Sequence, residues 1–212
     1  MKRILCYGDS NTHGTKPMRS ADDVARFSFE ERWPGVVANE LGAGFEIIEE
    51  GLPGRTTVQD DAIEGAHKNG RTYLLPCLES HWPLDAVVIA LGVNDLKNRF
   101  GVSPSDIAAG VGVLIEAVKN AAVFNGKPPE ILVLAAPLIT ETGWLGEMFA
   151  GGAEKSTKLA GYLKAVSTAH LVGFFDAGSV AHVSPIDGIH FDATNHKAIG
   201  SAVAHHLKAM LA

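Results

Sequence analysis

The sequence has only two cysteines in 212 residues, no run of like charge and no apolar stretch of membrane-spanning length. Cys6 and Cys77 make no disulfide framework, so a buried core must supply the stability. Neither sits on a strand-to-helix turn beside basic residues, which argues against a cysteine nucleophile. Without a long apolar run no spanning helix is expected. A formal net charge of −6 with no Arg/Lys cluster argues against a nucleic-acid or anionic-membrane partner. Met1-Lys2-Arg3-Ile4-Leu5-Cys6-Tyr7 reaches Gly-Asp too soon for the apolar core of a signal peptide, so the cytoplasm is the expected location. No Gly-x-Gly-x-x-Gly follows a strand. The glycine-bounded turn Gly8 to Gly14 holds five residues where a Walker loop holds four, and Thr15-Lys16 follows it instead of Lys-Ser/Thr. Metal ligands are also lacking: His205-His206 point to different sides of a helix, and Asp60-Asp61 reads as a polar loop. No metal and no cofactor is expected.

What is present is ordinary globular composition, 46% hydrophobic and 20% charged. At this length one domain spanning 1–212 is expected, with no repeat and no linker. Lys2 to Tyr7 is an apolar run too short for a helix and ends in Gly8-Asp9-Ser10-Asn11, strand chemistry running into turn chemistry. A polar loop follows to about Ser28. Helix spacing covers Trp33 to Leu41, with Gly42 as the stop. Phe45 to Glu50 reads as a strand ending in Gly51-Leu52-Pro53-Gly54-Arg55-Thr56-Thr57. Asn69 to Trp82 is helical in spacing, with Pro76 expected to kink or shorten it. Ala86 to Leu91 is a continuous β-branched strand of the kind covered on both faces, and Gly92-Val93-Asn94-Asp95 ends it. Ser103-Pro104 caps a helix reaching about Ala122. Glu130 to Ala135 is a fourth strand, Leu138 to Gly152 a loop, Glu154 to His170 a helix and Gly173 to Asp176 a fifth strand. Asp187 to Phe191 precedes the last helix, Thr194 to Leu211. Alternating strands and helices predict a three-layer α/β/α sandwich, flavodoxin-like, around a five-stranded parallel sheet.

In such a sheet the loops after the first three strands converge on one edge, where ligands bind. They bring a serine hydroxyl, a glycine-permissive backbone loop and a side-chain amide, and the segment before the last helix brings an imidazole beside a carboxylate. That is a part list for acyl transfer. Each part also has a plain structural reading. Asp9 and Ser10 can cap a helix, Asn94 can close a turn on its own backbone, Gly54 can be a turn residue, and a lone His190 is more often surface or core. It is their joint placement at strand ends that points to catalysis.

These four pieces, in this order and across nearly the whole chain, resemble the motif blocks of the SGNH (GDSL-type) hydrolase superfamily. The resemblance implies that Ser10 is the nucleophile, His190 the base and Asp187 its orienting carboxylate, three residues before it. It implies an oxyanion hole built by the Ser10 and Gly54 N–H groups and the Asn94 amide. Glu49-Glu50-Gly51-Leu52, Arg55-Thr56-Thr57, Phe175-Asp176-Ala177-Gly178-Ser179 and Asp187-Gly188-Ile189-His190-Phe191 are similar to bacterial arylesterases and acyltransferases, a branch grouped with carbohydrate acetylesterases. The function so implied is hydrolysis of short-chain, acetyl-type esters through an acyl-enzyme, with acyl transfer to alcohols or peroxide as an extension. The substrate would be a small-molecule ester and the assembly a homo-oligomer. A thioesterase or lysophospholipase of the same superfamily, or a non-catalytic flavodoxin-like binding module, are the alternatives. Asn11 stands where the name-giving motif has Leu, and His13 where arylesterase relatives carry Trp. With Val93 and Ile189, these two are the expected pocket residues.

Overall fold

Strand and helix alternate as β1 (Lys2–Gly8), α1 (Ser10–His13), α2 (Trp33–Leu41), β2 (Phe45–Gly51), α3 (Gly70–His81), β3 (Ala86–Ala90), α4 (Pro104–Lys119), β4 (Glu130–Ala135), α5 (Gly152–Ala169), β5 (Gly173–Asp176) and α6 (Ala193–Met210) in the computed structural model, which describes residues 1–212. All five strands pair in parallel, in the order β2-β1-β3-β4-β5. From β1 the chain builds β2 on one side and then crosses to build β3 on the other. The order therefore reverses at the carboxyl end of β1, the switch point at which α/β sheets open a crevice. Ser10 lies there.

Two apolar layers cover the sheet because strand side chains alternate between faces. Leu5 and Tyr7 of β1 and Val87 and Ile89 of β3 pack with residues of α3, α4 and α5. Ile4, Cys6, Ala86 and Val88 pack with α2 and α6 on the other face. Cys6 and Cys77 thus belong to opposite layers, and both are free buried thiols. Burial, with the nearby Glu50 carboxylate, pushes the Cys77 thiol up to about 12. No helix is long and apolar enough to cross a membrane.

Local structure departs from expectation in three places. α3 is not shortened at Pro76 and continues to His81. A proline inside a helix costs about 3 kcal/mol, yet Leu74, Cys77 and Leu78 are all fully buried on either side of it, and that burial outweighs the lost hydrogen bond. α4 stops at Lys119, and a short 3₁₀ turn at Ala122–Phe124 replaces its expected last turn. The loop after β1 opens with the four-residue helix α1, whose first N–H groups Asp9 caps by accepting from the Asn11 N–H at 2.9 Å. The capping reading and the catalytic reading of Asp9-Ser10 are therefore compatible: the cap at Asp9 fixes the backbone that presents Ser10.

Candidate active site

Ser10 and His190 are 180 positions apart in the chain, and His190 Nε2 lies 3.0 Å from Ser10 Oγ. On the other side of the ring, His190 Nδ1 lies 2.7 Å from Asp187 Oδ2. Asp187 is fully buried and accepts four hydrogen bonds: the ring, the Ile189 N–H (3.0 Å), the His190 N–H (2.9 Å) and the Met18 N–H (2.7 Å). Burial alone would raise its pKa. The ring and backbone donors prevail and hold the carboxyl below the usual carboxylate range. A carboxylate so held keeps the imidazole in one orientation and stabilises it when it takes a proton.

The segment carrying these two residues is shaped and docked by short-range chemistry. Gly188 has φ +74, and a Cβ there would fall 1.9 Å from the Thr140 carbonyl oxygen, so the tight turn between Asp187 and His190 requires glycine. Asn11 then joins the segment to α1: its Nδ2 donates to the Ile189 carbonyl at 3.1 Å and its Oδ1 accepts the Phe191 N–H at 3.2 Å. The amide at position 11 thus latches the histidine segment over the serine.

Three elements bring N–H donors to the cleft beside Ser10. Neither the Ser10 N–H nor the Gly54 N–H donates to another backbone group. The Asn94 side chain donates one N–H to the Arg55 carbonyl at 3.1 Å, which leaves its second free. Ser10, Gly54, Asn94 and His190 all line one cleft of about 330 Å³. Arg55 fastens the glycine loop from beneath. It is buried, donates to the Gly8 carbonyl at 2.9 Å and to the Glu50 carbonyl, and lies 4.2 Å over the Tyr7 ring. From the loop after β3, the Asp95 carboxylate receives the Thr57 N–H at 2.9 Å and the Thr57 hydroxyl at 2.5 Å. Burial pushes Asp95 up to about 6, and Asp9, also fully desolvated, up to about 6.

Of the expected pocket residues, Ile189 lines the cleft. The structure places the other three elsewhere. Asn11 and Val93 line a small separate cavity beneath the site, with Trp33 and Phe191. His13, the last residue of α1, is not among the cleft-lining side chains. For Asn11 the physical reason is helix geometry: the residue next after Ser10 in α1 points about 100° round the helix axis from the serine. The wall of the cleft comes instead from Ile63, Trp144 and Met148, which stand partly in solvent, and from the buried Leu145 and Phe149.

Sequence reasoning missed the charged wall. Lys97, with only 2% of its surface exposed, pairs with Glu64, and Arg99 Nη1 lies 3.1 Å from the buried Asp61. Within its polar loop Asp61 is therefore buried as the acceptor of an ion-pair cluster. The alternation of sign across Asp61, Glu64, Lys97 and Arg99 was the available signal, but it spans two loops whose proximity only the fold decides.

The family model of the GDSL-like lipase/acylhydrolases matches residues 6–198. The chain belongs to this family. Among solved structures it is similar to the native aryl esterase of M. smegmatis, 43% identical over 100% of both chains with a TM-score of 0.94. It is similar to a carbohydrate acetylesterase from Sinorhizobium meliloti, 42% identical over 99% of this chain and 100% of that one, with a TM-score of 0.93. A lipase/acylhydrolase from Enterococcus faecalis, 18% identical over 100% of this chain and 98% of that one with a TM-score of 0.68, shares the fold. None of the curated proteins matches the chain. As a GDSL-like acylhydrolase with this fold, the protein is a carboxylic ester hydrolase.

One further cluster in this GDSL-like hydrolase has metal-ligand chemistry. Glu50, Cys77 and His81 each bring a ligand atom to within 4.8 Å of the others. His81 Nε2 already lies 2.9 Å from Glu50 Oε1. A thiol pushed up to about 12 and the positive Arg55 nearby make this a poor cation site.

Proposed function

We propose that this ester hydrolase acts through a serine acyl-enzyme, with Ser10 as nucleophile, His190 as general base and acid, Asp187 as its orienting carboxylate, and the Ser10 N–H, Gly54 N–H and Asn94 amide as the oxyanion hole, all within a single domain spanning 1–212. The observation that carries the reading is the unbroken chain of hydrogen-bond distances from Asp187 through His190 to Ser10. Ser10 Oγ attacks the ester carbonyl carbon while its proton passes to His190 Nε2. The carbonyl oxygen takes up the electron pair and the three donors receive it. Collapse breaks the carbon–oxygen bond to the leaving alcohol, which takes the proton from His190 Nε2. Water then attacks the acyl-serine, gives its proton to His190, and releases the acid as Ser10 regains its hydrogen.

We read the substrate as a short-chain, acetyl-type ester of an aryl or sugar alcohol. The apolar side of the cleft is formed by Leu145, Phe149 and Ile189, at most 6% exposed, and these cannot yield room for a long acyl chain without opening the core. The aryl and carbohydrate alcohols come from the aryl esterase and carbohydrate acetylesterase to which the chain is similar. The same apolar wall disfavours water and supports transfer of the acyl group to another alcohol. We also read the mouth of the cleft, where Ile63 is 76% and Trp144 38% exposed, as a contact between copies of this chain.

A fluorophosphonate probe followed by mass spectrometry tests the nucleophile. The parent chain is expected to gain one adduct at Ser10 and Ser10→Ala none; an adduct that persists in Ser10→Ala would remove the serine from its role. Turnover of p-nitrophenyl acetate is expected to exceed that of the octanoate, and the reverse order would overturn the acyl-length reading.

A further inference from the structure

We propose that Lys68 is a positioning residue that holds the Gly54 N–H in the oxyanion hole, by fixing the Pro53–Gly54 peptide from the side opposite the cleft. This rests on the serine-esterase reading above and deepens it.

Leu52 to Arg55 form a turn closed by the Arg55 N–H on the Leu52 carbonyl at 3.0 Å. Pro53 is its second residue, and Gly54, its third, has φ +82. Proline followed by a glycine with positive φ is the signature of a type II turn. The alternative for the same four residues is type I, which differs by rotating the central peptide through about half a turn. That peptide is the one made by the Pro53 carbonyl and the Gly54 N–H. In a trans peptide the two groups point in opposite directions, and the only cis bond in the chain is elsewhere, at Trp82-Pro83. In one state of the turn the N–H faces one way and the carbonyl the other; in the other state they exchange. Glycine accepts either backbone, and proline in second place suits both. The residues of the turn therefore favour this polarity without locking it.

Lys68 closes the choice. Its ammonium donates to the Pro53 carbonyl at 2.8 Å, and its backbone carbonyl accepts the Thr56 N–H at 2.9 Å. One residue thus grips the loop on both sides of Gly54-Arg55. The ammonium makes no ion pair, and no carboxylate diverts it from the carbonyl. The Glu64 carboxylate also packs on Gly54, within 2.3 Å of where a Cβ would stand, but its charge is taken by Lys97 and Arg99. With the carbonyl bound to a cation, the peptide is polarised and its N–H becomes the stronger donor. Flipping the peptide would break that bond and turn the carbonyl oxygen toward the developing oxyanion. Lys68 touches neither substrate nor reacting atoms; it acts through the peptide.

The test is Lys68→Met, which keeps the apolar stem and removes the ammonium, beside Lys68→Arg, which keeps a cationic donor. On p-nitrophenyl acetate the methionine variant is expected to lose about tenfold in kcat with KM nearly unchanged, less than the roughly 100- to 1,000-fold that follows removal of a whole donor. Its affinity for phenylboronic acid, whose serine adduct places an oxygen in the hole, is expected to fall by the same factor, while the arginine variant stays near the parent. A methionine variant that turns over like the parent overturns the proposal. So does a loss of kcat without a matching loss of boronate affinity, or an arginine variant as slow as the methionine one. A parent that the fluorophosphonate does not label at Ser10 removes the esterase reading and this proposal together; a labelled parent with any of the other results removes this proposal alone.

Discussion

Two buried carboxyls near Ser10 are tuned in opposite directions. Asp187 is held low by four donors, whereas Asp9, next to Ser10 in the chain, is raised to about 6 because desolvation exceeds what the Asn11 N–H and the neighbouring positive groups return. The consequences for stability have opposite sign. Asp187, depressed, stabilises the fold above its ordinary unfolded value, and that contribution is lost as pH falls through its folded pKa. Asp9, raised, makes the folded state hold more protons than the unfolded state between about 4 and about 6. Stability from this group is therefore present below that window and lost as pH rises through it. Asp9→Asn keeps an acceptor for the Asn11 N–H and carries no charge to desolvate. Thermal melts should show the variant gaining on the parent above pH 6 and matching it below about pH 4; an equal difference at both ends would refute the assignment.

At the scale of elements, the site depends on helices that approach the sheet closely at its switch point. α2 and α6 cover the face behind β1, and they meet at Gly200, where a Cβ would fall 2.5 Å from Val36 Cβ and 2.8 Å from the Trp33 carbonyl oxygen. Since Trp33 and Val36 sit in the first turns of α2, the two helices have no room to part without tearing the smaller apolar layer. Gly200→Ala is expected to cost about 1–3 kcal/mol by overpacking, read as a lower Tm, with kcat at permissive temperature unchanged because Gly200 lines no part of the cleft. A variant as stable as the parent would show that α6 can slide on α2. How much of this level was readable varied with the kind of signal. The strands β1, β3, β4 and β5 appear within a residue or two of where their apolar runs predicted them, since a sheet covered on both faces writes itself as continuous hydrophobic sequence. The helix across Asn69 to Trp82 was readable in its spacing, but that it keeps its length past Pro76 was not, because a local rule yielded to burial that depends on distant partners.

At the scale of the whole molecule, the cleft mouth is an exposed apolar surface. Ile63 and Trp144 leave a large apolar area in water beside a buried ion-pair cluster, and a second copy of the chain is the occupant we propose. Light scattering at micromolar concentration should give a mass well above 22.4 kDa, with Trp144→Glu shifting it toward that value; a monomeric parent would refute the contact. The sequence by itself determined the alternation of strand and helix, the glycine-flanked position of Ser10 at the end of the first strand and the Asp187-x-x-His190 spacing, because these are written in neighbouring residues whose chemistry acts over one turn. Only the tertiary structure decided that Asn11 is a latch outside the Ser10 cleft, that Arg55 and Asp95 tie the loops together, and that Lys68 grips the Pro53 carbonyl. Those roles consist of one group reaching another distant in the chain, and which backbone atom a long polar side chain reaches is set by how the strands are ordered, not by the residues on either side of it.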